Sequence, residues 1–187
     1  ITTGEMTVKK LFCDNKIFEI SGVGYEATGD FLCNGKKIDV QKDNSLKLLL
    51  KAGILCNDSK IERKGTDNEY YIKGSPTEAA LLIASAKVGI FKEDLHFIRK
   101  GEIPFSSERK IMSVACKEKG GNYIYSKGAL EVLLKNCKFI QRKDGIFTLL
   151  ERDKKRIIEI NKELASKSLR TLGVAFKKSD FNNKNSF

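Results

Sequence analysis

Short stretches that alternate between hydrophobic and polar residues recur along the chain, and most of them end at Gly, Asn or Asp. This pattern predicts β-strands, because successive side chains of a strand point to opposite faces of a sheet. The predicted strands are TVKKLFC, KIFEI, RKGEIPF, KIMSVACKE, NYIYSK, KFIQR, GIFTLL and TLGVAFKK. Gly120 with Gly121, and Asp144 with Gly145, separate consecutive strands and predict tight hairpin turns. Antiparallel pairing is therefore expected to dominate.

Four other segments show the longer apolar period of an amphipathic helix. They are NSLKLLLKAGILCND with Ser45 as the expected N-cap, SPTEAALLIASAKVG, GALEVLLKNC, and the stretch from Glu151 to Leu169. In the second segment, Ser75 is followed by Pro76 and, three residues later, by Glu78, which predicts a capping box at a helix start. Helices grouped between runs of strands predict an α+β fold built on one antiparallel sheet.

The composition adds that the chain can bury a core but contains no membrane span. Of its 187 residues, 41% are hydrophobic. No run approaches the roughly 18 uninterrupted apolar residues that a membrane helix needs. The five cysteines form no C-x-x-C pair and have no neighbouring histidine, so neither a disulfide framework nor a zinc site is indicated. We therefore expect a reducing compartment.

Charge is the strongest compositional signal. The formal net charge is +11, and from Lys135 onward there are 14 Lys and Arg against 6 Asp and Glu. Such a surplus attracts nucleic acid, an anionic surface or a polyphosphate. The cations alternate with acids in ERDKKRIIEINKELASKSLR, however, which is typical of a solvated helix face. A basic nucleic-acid or anionic-surface binding module thus remains the alternative function, although the aromatics do not interleave with these cations in a stacking pattern.

Three motifs combine residue types that can bind a ligand. Glu78 can accept a hydrogen bond from a ligand amino group, although helix capping alone accounts for it. Lys127 and Gly128 lie where a strand passes into a helix, so that the backbone can approach a ligand beside a positive charge. An ordinary turn with a solvated lysine is the alternative. Arg170 precedes the last strand and can either bind a phosphate or close the end of the preceding helix.

Four segments, taken in order, resemble the signature sequences of one family. They are KGSPTEAALL, PFSSERKIMSV, YSKGALEVLL and LRTLGVAFK. Their order and intervals are similar to those of the nucleotide-binding domain of P-type cation-transporting ATPases, and GILCNDS at 53–59 resembles the calcium-pump branch. The resemblance covers essentially the whole chain. It implies an antiparallel sheet of about six or seven strands flanked by two helical bundles.

The resemblance implies that four residues form an adenine pocket. Phe105 matches the aromatic residue on which the adenine ring stacks, and Glu78 matches the acid that accepts a hydrogen bond from the adenine amino group. Lys127 matches the lysine that lines the pocket, with Gly128 at the pocket wall. A flat π system needs an aromatic face, so these residue types suit the ligand.

Two further matches and two departures concern the pocket rim. Arg170 matches the arginine that contacts the phosphates, and Lys110 matches a further pocket lysine. Calcium pumps commonly have arginine where this chain has Ser107, which leaves that phosphate contact either absent or supplied by Arg109. The family motif KGAPE reads KGALE here, with Leu130 in place of proline.

The resemblance also implies that the chain is one part of a larger membrane ATPase. We expect a single nucleotide-binding domain over 1–187, with 1–10 and 179–187 as remnants of the hinges to the phosphorylation domain. Such a domain would lie in the cytoplasm and deliver ATP to the phosphorylation domain of a pump that also uses Mg²⁺ and an actuator domain. The opening ITTGEMTV resembles the segment just after the phosphorylated aspartate. The isolated chain is therefore expected to bind ATP without hydrolysing it, with no nucleic-acid partner and no direct membrane insertion.

Overall fold

The computed structural model describes residues 4–65 and 69–180, which divide into two compact units between Leu95 and His96. Both units combine α-helices with antiparallel sheets, so the predicted α+β class and antiparallel pairing are confirmed. The single domain over 1–187 stays a prediction. Of the predicted hinge remnants, residues 1–3 and 181–187 lie outside the described residues.

The first unit contains two helices and two antiparallel sheets. Its elements are β1 Lys10–Cys13, β2 Lys16–Ile20, β3 Phe31–Cys33, β4 Lys36–Lys37, α1 Asn44–Leu55, β5 Lys60–Arg63, β6 Tyr70–Lys73 and α2 Pro76–Ala86. Strands β1 to β4 pair in sequence order, and β5 pairs with β6 as a separate hairpin. Short 3₁₀ turns cover Val40–Lys42 and Lys92–Asp94.

The core of the first unit lies between the four-stranded sheet and the two helices. Buried side chains alternate along β2, which contributes Phe18 and Ile20, as expected of a strand with one face on the core. Helix α1 contributes Leu46 and Leu50 at i,i+4 spacing, and α2 contributes Ala84. Side chains from the alternating strand and from one face of α1 therefore pack together in one cluster.

Helix α1 begins two residues earlier than the predicted N-cap at Ser45 implies, and its N-cap is Asp43. Asp43 has an extended backbone, and its carboxylate accepts a hydrogen bond from the Leu46 N–H at 3.0 Å. Ser45 lies inside the first turn and donates its hydroxyl to the same carboxylate at 2.7 Å. Burial by itself raises the pKa of Asp43, but the hydrogen bonds from Leu46 and Ser45 outweigh it and lower the pKa below its ordinary value.

The second unit contains a four-stranded sheet, a separate hairpin and two helices. Its elements are β7 Phe97–Ile103, β8 Ile111–Glu118, β9 Gly121–Gly128, α3 Leu130–Asn136, β10 Phe139–Arg142, β11 Gly145–Thr148, α4 Glu151–Ser166 and β12 Gly173–Lys178. The sheet order is β12-β9-β8-β7, and every neighbouring pair is antiparallel. Both predicted hairpins are confirmed, because Glu118 pairs with Gly121 and Arg142 pairs with Gly145.

Helix α4 starts without a polar N-cap side chain. Leu150 occupies the N-cap position, and the buried Asp153 accepts a hydrogen bond from the Leu150 N–H at 3.1 Å. The other Asp153 oxygen pairs with Arg142 of β10 at 2.8 Å. One carboxylate therefore both closes the helix start and joins the β10–β11 hairpin to α4.

The predicted single sheet of six or seven strands is not confirmed. The described strands divide among four sheets, with four, two, four and two strands. The chain also forms strands where none was predicted, at β3, β4, β5 and β6. No helix among the described residues has the length and apolar character to cross a bilayer.

The capping role of Asp43 predicts a pH-dependent loss of stability. Asp43→Ala should lower the free energy of unfolding by about 1 kcal/mol at neutral pH, because the Leu46 N–H loses its acceptor. The folded pKa is depressed, so the ionised group stabilises the fold above its unfolded pKa of about 3.9, and this stabilisation is lost as pH falls through the folded pKa. Urea unfolding at pH 7 and pH 3 measures both effects. Asp43→Asn keeps an acceptor oxygen but does not titrate, and an identical pH dependence in wild type and Asp43→Asn would contradict the prediction.

Candidate functional site

Five of the six predicted site residues lie at one end of the four-stranded sheet in the second unit. Strand β7 ends there at Ile103, and β8 begins there at Ile111. The loop between them carries Phe105 and Lys110. Strand β9 ends there with Lys127 and Gly128, because Ile111 pairs with Gly128. Gly173, the first residue of β12, also pairs with Gly128, which brings Arg170 to the same end three residues earlier.

Gly128 occupies a position that no side chain fits. Its φ is +154°, and a Cβ atom there would lie 2.2 Å from the Lys110 carbonyl oxygen and 2.7 Å from the Ile111 Cα. The same Lys110 carbonyl accepts a hydrogen bond from the Ala129 N–H at 2.9 Å. The β7–β8 loop and the junction between β9 and α3 are thus in direct backbone contact, which requires glycine at 128.

The β7–β8 loop, residues 104–110, is closed by its own hydrogen bonds. The Lys110 N–H donates to the Ser106 carbonyl at 2.7 Å, and the Arg109 N–H donates to the Ser106 hydroxyl at 3.1 Å. Lys110 has a φ of +57°, a left-handed conformation that turns the chain into β8. The Phe105 side chain is 60% exposed, about as much as that of Phe139. The loop therefore presents an aromatic face to solvent.

Arg109 contacts the opposite face of the sheet from Lys127. Its guanidinium lies 3.4 Å from the Ser113 hydroxyl, and Ser113 is hydrogen-bonded to Ser126 directly across the ladder at 2.8 Å. Lys127 is the next residue along β9 and pairs with Met112, so strand alternation places its side chain on the other face. Arg109 therefore contacts the face of the sheet opposite to the one that carries the Lys127 side chain.

The cations at this end of the sheet differ in exposure. Lys127 is buried, whereas Lys110 and Arg170 are exposed and form no ion pair with any described residue. Arg170 does not close the end of α4, because backbone groups do so. The Leu169 N–H donates to the Leu164 carbonyl at 3.2 Å while Ser168 adopts a φ of +59°. An exposed, unpaired arginine is available to a phosphate.

Tyr125 stabilises β9 just before Lys127. Its ring packs against Tyr123 and Phe176 at centroid distances of 6.2 and 6.4 Å, and its hydroxyl donates to Glu118 at 2.6 Å. Burial, together with the Glu118 carboxylate, raises the pKa of Tyr125, so the phenol stays neutral. The part of β9 that precedes Lys127 is therefore held by an aromatic cluster whose central ring, Tyr125, is buried.

Glu78, the sixth predicted residue, belongs to the first unit. Ser75 caps α2 by accepting from the Glu78 N–H at 3.2 Å, with Pro76 at the first helical position, so this half of the predicted capping box is confirmed. The Glu78 carboxylate itself accepts hydrogen bonds from the N–H groups of Asp58 and Ser59, each at 3.1 Å. The acid at the start of α2 is thus bound to the loop that follows α1.

Sequence reasoning missed the residues that hold Glu78. Asn57 and Ser59 are fully buried, and both hydrogen-bond to Glu78. The signal in the sequence is the polar run NDS at 57–59, which follows the C-cap of the apolar helix α1 and is part of the family resemblance. The first unit also has an open depression of about 500 Å³, lined by residues 37–41 and Val88, which includes none of the predicted site residues. In the described part of the chain, no three His, Cys, Asp or Glu residues cluster in a way that could hold a metal ion.

Comparison with known proteins identifies similar sequences along nearly the whole chain. A family model described as P-type ATPase, cytoplasmic domain N, matches residues 45–187. A calcium-transporting ATPase of Bacillus subtilis (strain 168) is 38% identical over 181 residues, which cover 95% of this chain and 20% of that protein. Human calcium-transporting ATPase type 2C member 1 is 32% identical over 180 residues, which cover 94% of this chain and 19% of that protein. The cation-transporting ATPase pma1 of Synechocystis is 34% identical, with 95% and 20% coverage. This chain therefore spans about a fifth of the length of these relatives.

The close approach of the backbone at Gly128 predicts that Gly128→Ala lowers the free energy of unfolding. Gly145→Ala serves as the reference variant for this loss. Gly145 also has a positive φ, of +144°, but a Cβ there would meet no atom within 4 Å. Gly145→Ala should therefore report backbone strain alone, whereas Gly128→Ala adds the collision with Lys110 and should cost at least about 1 kcal/mol more. Urea unfolding of both variants measures the difference. Equal losses would show that the contact between the loop and β9 relaxes at little cost.

Proposed function

This chain belongs to the family of P-type ATPase cytoplasmic N domains, and from that premise we propose that it binds ATP for a cation-transporting pump, specifically a calcium pump. The observation that carries the proposal is the grouping of Phe105, Lys110, Lys127, Gly128 and Arg170 at one end of a single sheet. An exposed aromatic ring beside several cations is what a purine base with a polyphosphate tail requires.

Each residue has a distinct proposed role. Phe105 stacks on the adenine ring, and Lys127 lines the pocket where the side-chain-free Gly128 forms the wall. Lys110 contributes further positive charge. Arg170, exposed and unpaired among the described residues, contacts the phosphates with its forked donors. Glu78, held by the loop after α1, accepts a hydrogen bond from the adenine amino group.

In the whole pump, we propose that this domain carries ATP to the phosphorylation domain. There an aspartate of that domain attacks the γ-phosphate in line, and the actuator domain is the other cytoplasmic partner. Mg²⁺ bound to the phosphates would neutralise charge during the transfer. The residues of this chain bind and orient the nucleotide. The isolated chain is accordingly proposed to bind ATP without hydrolysing it.

The alternative function, binding of nucleic acid or another anionic surface, has less support. Several cations of α4 and its C-terminal end pair with acids one turn away, namely Lys154 with Glu151, Arg156 with Glu159, and Lys167 with Glu163. This pattern favours a solvated helix face. A titration with duplex DNA at two salt concentrations tests the alternative, whose mark is an affinity that falls steeply with salt.

We expect weak binding of ATP to the isolated chain. The dissociation constant should lie between tens of micromolar and about 1 mM, or roughly −4 to −6 kcal/mol, because the site has one stacking face and exposed cations. Isothermal calorimetry or NMR titration measures it. Magnesium should change the affinity little, since the phosphates lie at the rim. Nanomolar affinity, or no binding at millimolar nucleotide, would contradict the proposal, as would phosphate release above background.

Phe105 provides the sharpest test of the site. Phe105→Ala should weaken ATP binding by about 1–3 kcal/mol, the range for one lost base–aromatic contact, and should leave the fold intact because the ring is largely exposed. Phe105→Trp keeps a π face and should retain most of the affinity. It also introduces the chain's only tryptophan, so its fluorescence should respond directly to ATP. Unchanged ATP affinity together with a large drop in thermal stability in Phe105→Ala would make Phe105 a packing residue.

A further inference from the structure

One oxygen of the Glu78 carboxylate is held by three donors. Oε2 accepts hydrogen bonds from the Asp58 N–H, the Ser59 N–H and the Ser59 hydroxyl, each at 3.1 Å. Three donors on one oxygen hold that oxygen in place beside the loop. Glu78 is therefore a positioned acceptor and not a mobile surface acid.

The donors are themselves fixed by a buried amide. The Asn57 side chain donates to the Glu78 carbonyl at 2.9 Å and to the Gly53 carbonyl at 3.3 Å, and its Oδ1 accepts from the Ser59 N–H at 2.9 Å. Asn57 and Ser59 are both fully buried. The Asn57 carbonyl in turn accepts a hydrogen bond from Lys92 at 2.6 Å. This network anchors the loop to the ends of both helices.

Gly74 leaves space for the Ser59 side chain. It has a φ of +130°, and a Cβ atom at this position would lie 2.1 Å from the Ser59 Oγ. The Ser59 hydroxyl also lies 3.4 Å from the Ser75 carbonyl, next to the start of α2. The chain leading into α2 is thus packed closely against this serine, which is fully buried.

We propose that Asn57 and Ser59 are specificity-determining residues that make the site select a purine with an amino group at position 6. This inference rests on the proposed function, in which Glu78 faces the base. A fixed carboxylate acceptor pairs with the adenine amino group but meets the lone pairs of a carbonyl oxygen in hypoxanthine or guanine. A mobile carboxylate would swing away from that carbonyl at little cost, so the discrimination depends on the residues that hold Glu78.

The experiment compares ATP with inosine triphosphate, which has a carbonyl in place of the 6-amino group. Dissociation constants for both are measured by calorimetry on wild type and Ser59→Ala. The preference for ATP should fall about threefold to tenfold in Ser59→Ala, the effect of losing one hydrogen bond that orients the acceptor. Ser85→Ala is the matched control, because Ser85 is an equally buried serine in α2 whose hydroxyl donates to the Leu81 carbonyl. Its preference for ATP should equal that of wild type.

The ratio of the two affinities separates specificity from folding. Partial misfolding lowers the binding of both nucleotides and leaves their ratio unchanged, so a purely structural role for Ser59 predicts an unchanged ratio and overturns the inference. If Ser59→Ala does not fold, Ser59→Cys keeps the packing with a weaker donor, and its ratio should fall at least about twofold. A wild-type chain that binds neither nucleotide overturns the proposed function. A wild type that binds both with equal affinity overturns only the inference.

Discussion

Eight consecutive residue pairs join β8 to β9, from Ile111 with Gly128 to Glu118 with Gly121, and the site in the second unit takes its geometry from that ladder. The register decides which residue of β9 lies beside the β7–β8 loop. A shift of one residue would place Lys127 on the face now occupied by Ser126 and would remove the glycine from the Lys110 carbonyl. The turn at Gly120, at the opposite end of the ladder, and the buried Tyr125, two residues before Lys127, fix this register.

The predicted site residues of the two units are held in place by different kinds of structure. In the second unit, the predicted residues sit at strand ends and in a loop closed by backbone hydrogen bonds, so the sheet positions them. In the first unit, one acid at a helix start is held by side chains and backbone of a preceding loop. Rigid elements hold functional groups more accurately than free loops do. Both arrangements therefore limit the motion of groups that would otherwise be mobile at a surface.

Much of the fold and part of the site follow from the sequence. The eight predicted strands and four predicted helices all form, because each carries a clear period and is bounded by turn residues. The strands β3 and β4 have three and two residues, too few to show alternation, and β5 is mainly polar. The division into four sheets was not predictable, since local periodicity states that a segment is a strand but not which strands it joins.

One wrong prediction, the N-cap at Ser45, and one omission, the residues that hold Glu78, have the same physical origin. Asp43 and Ser45 are both good N-cap residues, and only the backbone conformation decides that Asp43 takes the position. The spacing of Ser75 and Glu78 predicts a capping box, but it contains no information on Asn57 and Ser59, which lie about twenty residues away. Contacts between distant segments depend on packing, and a single sequence records only the residue types that make them possible.

The backbone contact at Gly128 affects how a glycine at the same position in a homologue is interpreted. Because the Lys110 carbonyl lies where a Cβ would be, glycine is required by the crossing of two chain segments whether or not a nucleotide binds. A homologue that has lost its ligand would keep this glycine as long as it keeps the loop. The glycine at the end of β9 is thus a marker of architecture, whereas the exposed Phe105 of the β7–β8 loop is the residue to compare when the proposed nucleotide site is traced in relatives.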